Sequence, residues 1–246
     1  MVGSLLLRGM LAGVLAGFLA FAFAHTFGEP QVDRAIAFEE QAAKAANEAP
    51  EPELVSRETQ ANIGLLTGTV TYGAAVGGIF ALVFAFAYGR VGVLGARATS
   101  ALLALAAFVS VALVPQIKYP ANPPAVGSPE TIGSRTGLFF VMLVLSIAVL
   151  VASIALARRL WDRYGGWNAS LLAGAAFVVV VAAIQVALPS VNEIPDGFSA
   201  DLIWRFRVVS LGIHAILWTV IGVAFGVFAE RRVGEKASGR LSVAYR

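Results

Sequence analysis

Long apolar stretches separated by polar segments are the dominant pattern of this chain. A membrane-spanning helix needs roughly 20 predominantly apolar residues. Six stretches reach that length, at about 4–27, 63–88, 98–116, 134–158, 168–188 and 203–229. Nothing in them alternates as barrel strands do, and lipid cannot satisfy free backbone groups, so helices are expected. The pattern predicts an all-α integral membrane protein with six transmembrane helices.

The composition supports the same class. The 246 residues are 58% hydrophobic and 13% charged, with a mean hydropathy of +0.79. A soluble domain of this size cannot bury that much apolar surface. The absence of cysteine excludes a disulfide framework and a thiolate metal site. We predict a six-span membrane domain over residues 1–232, followed by a basic cytoplasmic tail over 233–246.

The first apolar stretch has two interpretations. Arg8 precedes an apolar core and Ala22-Phe23-Ala24 resembles a cleavage site, as in a secretory signal peptide. Three glycines at four-residue spacing instead form a ridge suited to close helix packing. These are Gly9, Gly13 and Gly17. We favour a retained membrane helix.

The distribution of charge predicts the orientation. With the N-terminus inside, the inner segments hold 11 of the 18 Lys and Arg residues and 3 of the 15 acids, so 12 acids lie outside. Cytoplasmic connections carry an excess of basic residues. We predict a multi-pass membrane protein with both termini in the cytoplasm. The basic tail is expected to meet the head groups of the lipid bilayer, and no nucleic acid partner is predicted.

The stretch from His25 to Glu40 gathers polar groups directly after the first apolar run. On a continuous helix His25, Glu29 and Asp33 share one face, because residues four apart are neighbours. Pro30 is expected to end or kink the helix there, since proline lacks an N–H.

An outer loop of about 28–62 follows the first span. Its Ala- and Glu-rich residues 33–48 are expected to be helical, and Pro50 and Pro52 are expected to stop that helix.

The three outward-running helices end alike, at Pro30, Pro115 and Pro189. The third and fifth also share L-L-A-x-A-A-F-V, at 102–109 and 171–178. This pattern is compatible with three parallel helical-hairpin repeats, an arrangement known in transporters. The alternative is a chance match between Ala- and Leu-rich helices.

Four arginines lie on the predicted outer side, near the starts of inward-running helices, where the helix dipole disfavours cations. They are Arg57, Arg135, Arg205 and Arg207. Such residues need acidic partners, and Glu130 and Asp201 lie in the same outer segments. We predict an ion-paired cluster on the outer face, which serves either as a structural clasp for the loops or as a site where cations enter.

His214 lies well inside the last span. An ionisable residue within the membrane is by default a functional hypothesis, and the alternative is a neutral histidine hydrogen-bonded to another helix. Histidine and carboxylate ligands suit Co²⁺, Ni²⁺ or Zn²⁺. The candidate metal ligands are His25, Glu29, Asp33, Glu39, Glu193 and His214. No phosphate loop or hydrolase motif is present, so we predict that the chain is not an enzyme.

Several motifs together resemble the cobalt transporter subunit CbtA family. They are G-E-P-Q-V-D-R-A-I-A-F-E-E at 28–40, E-L-V-S-R at 53–57, L-L-T-G-T-V-x-Y-G at 65–73, K-Y-P-A-N-P-P-A-V-G-S-P-E-T-I-G-S-R-T at 118–136, V-N-E-I-P at 191–195 and W-R-F-R at 204–207. The resemblance implies a bacterial cobalt importer that acts with a small His-bearing subunit, CbtB, and is associated with cobalamin synthesis.

The chain departs from that family at one place. Many relatives carry a His-rich tract in the first outer loop, where this chain reads Q-A-A-K-A-A-N-E-A-P-E-P-E. This departure weakens metal capture by the loop itself. Glu29, Asp33, Glu39, Glu193 and the arginines are the positions that match the family motifs.

Two functions follow from these observations. The first is a membrane subunit for uptake of cobalt or a related divalent cation, with no cofactor beyond the transported ion. The second is a non-transporting structural or accessory subunit of a larger membrane complex. A homo-oligomer is compatible with either.

Overall fold

A computed structural model describes residues 2–47, 54–90, 92 and 94–244, with side chains up to residue 231. Pro50 and Pro52, predicted to stop the first outer helix, lie outside these residues, as do the side chains of the predicted basic tail. The described residues form helices and no strand, which confirms the predicted all-α class.

The α-helices are α1 (Val2–Phe23), α2 (Glu29–Ala45), α3 (Arg57–Thr59), α4 (Leu65–Ala87), α5 (Ala96–Ala107), α6 (Val114–Lys118), α7 (Ile132–Ala187) and α8 (Ala200–Ala244). Three π-helical segments connect neighbours in this series, at Ala24–Gly28, Gln60–Gly64 and Phe108–Leu113. A 3₁₀ turn at Pro129–Thr131 leads into α7.

Among the described residues, five continuous helical stretches are long and apolar enough to cross a membrane, as expected for a membrane protein. They are Val2–Ala45, Arg57–Ala87, Ala96–Lys118, Pro129–Ala187 and Ala200–Arg231. The fourth contains two of the predicted spans, 134–158 and 168–188. At 1.5 Å per residue a straight helix of 56 residues would be about 84 Å long, far more than a hydrocarbon core of about 30 Å. Gly165 interrupts it between those spans, with a non-helical φ of 74° and ψ of 160°.

The sequence predicts either a helix end or a kink at Pro30, and the helix end is wrong, because helical structure runs without a gap from Val2 to Ala45. The π-helical segment Ala24–Gly28 lies directly before the proline. A proline ring clashes with the carbonyl four residues earlier, and a wider π turn relieves that clash locally. Pro115 follows the π-helical segment Phe108–Leu113 in the same manner.

The chain forms two compact units. The first contains residues 1–107 and 208–246, and the second contains residues 108–207. In the first unit α1 packs along α4 through the predicted glycine ridge. A Cβ on Gly13 would overlap the Gly73 carbonyl, and a Cβ on Gly17 would lie 2.6 Å from the Thr69 carbonyl oxygen. The prediction that this ridge serves helix packing is confirmed.

A further contact of the first unit joins α8 to α5. A Cβ on Gly222 would lie 2.5 Å from the Cβ of Ala104. The buried Ser100 hydroxyl donates to the Gly222 carbonyl at 2.6 Å. Phe225 meets the rings of Phe80 and Phe84 edge-on, with centroids 5.5 and 5.0 Å away. Small residues thus bring these helices close, and large rings fill the remaining space.

The second unit has its own core, formed by Val114, Tyr119, Met142 and Val181. The Tyr119 hydroxyl donates to the Pro189 carbonyl at 2.8 Å. Burial raises the pKa of Tyr119, so the phenol stays protonated and remains a donor. This bond ties the loop after α6 to the segment after α7.

Candidate functional site

One group of polar side chains in the first unit surrounds Arg57, at the start of α3. Its guanidinium donates from Nε to Asp33 Oδ1 at 3.0 Å and from Nη2 to Glu29 Oε2. The two carboxylates stand one turn apart on α2, so both can face a single guanidinium. We call Glu29, Asp33 and Arg57 the Arg57 cluster. One guanidinium against two carboxylates leaves it with one net negative charge.

His25 lies one turn before Glu29, in the π-helical segment that follows α1. Its Nε2 is 3.1 Å from Asn62 Oδ1, in the π-helical segment that precedes α4. The Phe21 ring stands 5.5 Å from the imidazole, measured between ring centroids. The contact between His25 and Asn62 thus joins two π-helical segments that are close to the Arg57 cluster in the sequence. Such π-helical turns are frequent at functional sites.

Glu193 is the centre of a second group, which lies in the second unit. Its Oε2 accepts the Ser128 backbone N–H and the Thr131 hydroxyl, both at 2.8 Å, and lies 3.3 Å from Arg135 Nε. The Ser128 N–H, then the Thr131 hydroxyl and then Arg135 lower the pKa of Glu193, against the opposing effect of burial. We call Ser128, Thr131, Arg135 and Glu193 the Glu193 cluster.

Arg135 is held on several sides within this cluster. Its Nη2 donates to the Ser128 carbonyl at 3.0 Å, and its Nε donates to the Thr131 hydroxyl at 3.2 Å. The guanidinium lies over Gly127, whose φ is +110°, and a Cβ at that position would overlap the guanidinium. Only glycine allows both the backbone conformation and the close approach. Glu193 and Arg135 therefore fix the proline-rich loop to the start of α7.

A cavity of about 220 Å³ opens beside the Glu193 cluster. The charged groups on its wall are Arg135, Glu193 and Arg207. Arg207 Nη2 donates to Asn122 Oδ1 at 3.0 Å, while its Nε is buried and has no hydrogen-bond partner among the described residues. Two guanidinium groups against one carboxylate leave this wall with one net positive charge.

The side chains of the remaining predicted residues belong to neither cluster. Arg205 pairs with Asp201 at 2.7 Å, one turn away on α8, and both are exposed. Glu39 and Glu130 are exposed, and no ion pair within the described ranges includes either one. His214 is half-buried in α8, and its Nδ1 has no hydrogen-bond partner among the residues described.

In the part of the chain that the structure describes, no three His, Asp or Glu side chains come close enough to hold a metal ion. Each of the four predicted arginines has a polar partner, and the partner differs from one arginine to the next. The sequence reasoning missed Asn62 and Asn122, which contact His25 and Arg207. Asn122 lies among the prolines of the loop between α6 and α7, and an amide within such a stiff segment could have been recognised from the sequence.

A protein-family model described as "Probable cobalt transporter subunit (CbtA)" matches residues 2–230. The chain belongs to the CbtA family. The CbtA match covers nearly the whole chain, including both groups described above, and the family is a class of transporter subunits rather than of enzymes. No curated protein and no solved structure matches this CbtA-family chain.

Proposed function

We propose that this chain is the membrane subunit of a cobalt uptake system and that the cation first meets the protein at the Arg57 cluster. The observation that carries the proposal is the net negative charge of that cluster, in which Glu29 and Asp33 share Arg57. An excess carboxylate attracts a divalent cation and supplies an oxygen ligand, and the nearby His25 supplies a nitrogen ligand. This mixture of ligands suits Co²⁺.

The path beyond this point is assigned to His214. It lies in the last span, and its unpartnered Nδ1 is available as a ligand to a passing ion. Glu39 and Glu193 stay predicted ligands. Glu39 adds negative charge on α2, whereas Glu193 is already engaged by Arg135 and two hydrogen-bond donors. The chain has no phosphate-loop motif, so the membrane potential, a coupled ion or a partner subunit would drive transport.

Cobalt uptake by cells that express the protein tests this path. We expect Glu29→Gln and His214→Leu each to lower the initial uptake rate about tenfold or more, since each removes a ligand. Glu40→Gln is the control, because Glu40 is an exposed carboxylate on the same helix that pairs only with Lys44, at 3.8 Å. Uptake by Glu29→Gln and His214→Leu at the rate of Glu40→Gln would remove the proposed path.

We further propose six spans, with both termini in the cytoplasm of a bacterial inner membrane. The break at Gly165 supports two spans within α7. The threefold hairpin repeat receives partial support, because Pro30 and Pro115 each follow a π-helical segment. Pro189 differs, since α7 ends before it at Ala187.

The second candidate is an accessory subunit that does not transport ions. It is favoured by the engagement of Glu29, Asp33 and Glu193 by arginine, which is what a structural clasp requires. A small His-bearing subunit would then collect the metal. Purification in mild detergent separates the candidates. Bound cobalt in the isolated chain supports the first, and a stoichiometric complex in which only the partner binds cobalt supports the second.

A further inference from the structure

Arg207 is a cation without a carboxylate partner. Each of the other arginines in the second unit's polar groups has one, since Arg135 pairs with Glu193 and Arg205 pairs with Asp201. No ion pair of the described residues includes Arg207, and its one hydrogen bond goes to the neutral Asn122. A charged group that is withdrawn from water without a counter-charge carries a large desolvation cost.

The guanidinium also has an unused donor. Arg207 Nε is buried and has no acceptor within the part of the chain described. A buried donor of a charged group is costly to leave unpaired, so such a group indicates a missing acceptor. Asn122 cannot supply the missing charge, because its amide is neutral.

The cavity beside Arg207 has the size and wall of a small anion site. Its volume of about 220 Å³ is below the roughly 300–1,000 Å³ of pockets for drug-sized ligands, so it suits one small group. Asn122 and Asn192 add amides to the wall, and Phe139 and Ile194 add apolar surface. A planar guanidinium fork matches the oxygens of phosphate.

The cavity is built from the ends of membrane helices. Its wall includes residues just after α6, in the first turns of α7, just after α7 and in the second turn of α8. These helix ends are where a span meets the phosphate layer of a bilayer. Lipid head groups supply phosphate at this depth, and inorganic phosphate can reach the same position from solution.

We propose that this cavity binds a phosphate group against Arg207, as an anion site separate from the proposed cation path. The Glu193 cluster forms one wall and holds Arg135 in place, while Arg207 supplies the uncompensated positive charge. The bound group is either the phosphate of an anionic lipid head group or free inorganic phosphate. This proposal does not depend on cobalt transport.

The test uses the full chain purified in neutral detergent, with thermal unfolding as the readout. One arm titrates short-chain phosphatidylglycerol, and a second titrates inorganic phosphate. We expect saturable stabilisation of the wild type in at least one arm, and a dissociation constant at least tenfold higher for Arg207→Gln. Arg205→Gln is the matched control, because it removes the same charge two residues away, from an exposed side chain outside the cavity wall.

The two arms distinguish the sources of the phosphate. Stabilisation by the lipid alone assigns a lipid head group, and stabilisation by inorganic phosphate assigns a free phosphate site. The absence of saturable stabilisation in both arms overturns the proposal, as does equal binding by Arg207→Gln and Arg205→Gln.

If Arg207→Gln does not fold, a second pair of variants, at Asn192, tests the proposal instead. Asn192 is exposed on the cavity wall, so its replacement carries little risk to folding. Asn192→Glu places a negative charge beside the site and is expected to weaken phosphate binding at least tenfold. Asn192→Gln keeps the amide and is expected to bind as the wild type does. Equal binding by these two variants contradicts the proposal.

Discussion

Glu193 illustrates how a single side chain is held by backbone and hydroxyl donors as well as by charge. Its Oε2 accepts from the Ser128 N–H and from the Thr131 hydroxyl before any contribution from Arg135 is considered. These donors favour the ionised carboxyl and lower its pKa from the ordinary value of 4.5. Glu193 therefore contributes stability that is present above pH 4.5 and is lost as the pH falls through the lowered pKa.

We expect Glu193→Gln to lower the thermal unfolding midpoint at neutral pH, because the amide accepts the same bonds without charge. The difference between wild type and variant should shrink as the pH falls from about 4.5 through the lowered pKa of Glu193, because the wild-type carboxyl becomes protonated over that range. Thermal unfolding of the detergent-solubilised protein, from neutral pH to below pH 4.5, measures this difference in unfolding midpoint. Glu130→Gln, at an exposed position, is the control and should match the wild type throughout. A constant difference at all pH values would contradict the role assigned to the ionised form.

The sequence predicted which arginines need polar partners better than it predicted the partners themselves. The four arginines of the predicted outer cluster were recognisable, because cations near helix starts need partners. Their partners were not, because Asp33 and Glu29 lie far from Arg57 in the chain and meet it only through the return of α3. Arg207 and Asn122 are likewise distant in sequence, so the sequence did not show that Arg207 faces the amide of Asn122 instead of a carboxylate.

At the scale of elements, the contact between α1 and α4 depends on glycine. Backbone approaches at Gly13 and Gly17 leave no room for a Cβ, so the helices touch along their main chains. The close-packing face of α1 could be predicted from the four-residue spacing alone, since that spacing places the glycines on one helix face. The helix that packs against it could not be predicted, because glycine pairs recur elsewhere in the chain. Gly68, for example, has nothing within 4 Å of an added Cβ.

We expect Gly13→Ala to destabilise the protein by about 1–3 kcal/mol, the usual range for overpacking, since its Cβ would overlap the Gly73 carbonyl. Gly68→Ala is the matched control in a helix of the same contact, and it should be neutral or stabilising by up to about 1 kcal/mol. Unfolding by a denaturing detergent measures both. Equal stability of the two variants would show that α1 and α4 do not touch at this ridge.

The π-helical segments are the element-scale feature that the sequence did not reveal. A proline after an apolar run predicts either a helix end or a helix that accommodates the ring. The choice depends on whether neighbouring packing stabilises the continuing turn. Here α2 continues after Pro30 and presents Glu29 and Asp33 to Arg57, and that pairing supports the helix beyond the proline.

For the whole molecule, the number of membrane crossings decides which loops are outside. The continuous stretch Pro129–Ala187 crosses once if it is one span and twice if Gly165 marks a turn. Only two crossings place the proline-rich loop and the Glu193 segment on the same side. Their direct bonds, from Ser128 and Thr131 to Glu193, support the proposed two crossings.

Single cysteines test this topology cleanly, because the native chain contains none. Asp162→Cys and Asp196→Cys are matched changes at exposed aspartates on the two sides of the second half of α7. We expect a membrane-impermeant maleimide to label Asp196→Cys in intact cells, and Asp162→Cys only after permeabilisation. Labelling of both positions from the same side would contradict two spans within α7.

The helical class, the apolar spans, the packing role of the glycine ridge and the family resemblance were all contained in the order of residues. They depend on local composition and short-range spacing, which a linear chain displays directly. The pairing of charges required folding, since it depends on which distant turns come within about 3 Å of each other. Only the folded chain therefore paired Arg57 with Glu29 and Asp33, and placed Arg207 against Asn122 in a cavity wall with a net positive charge.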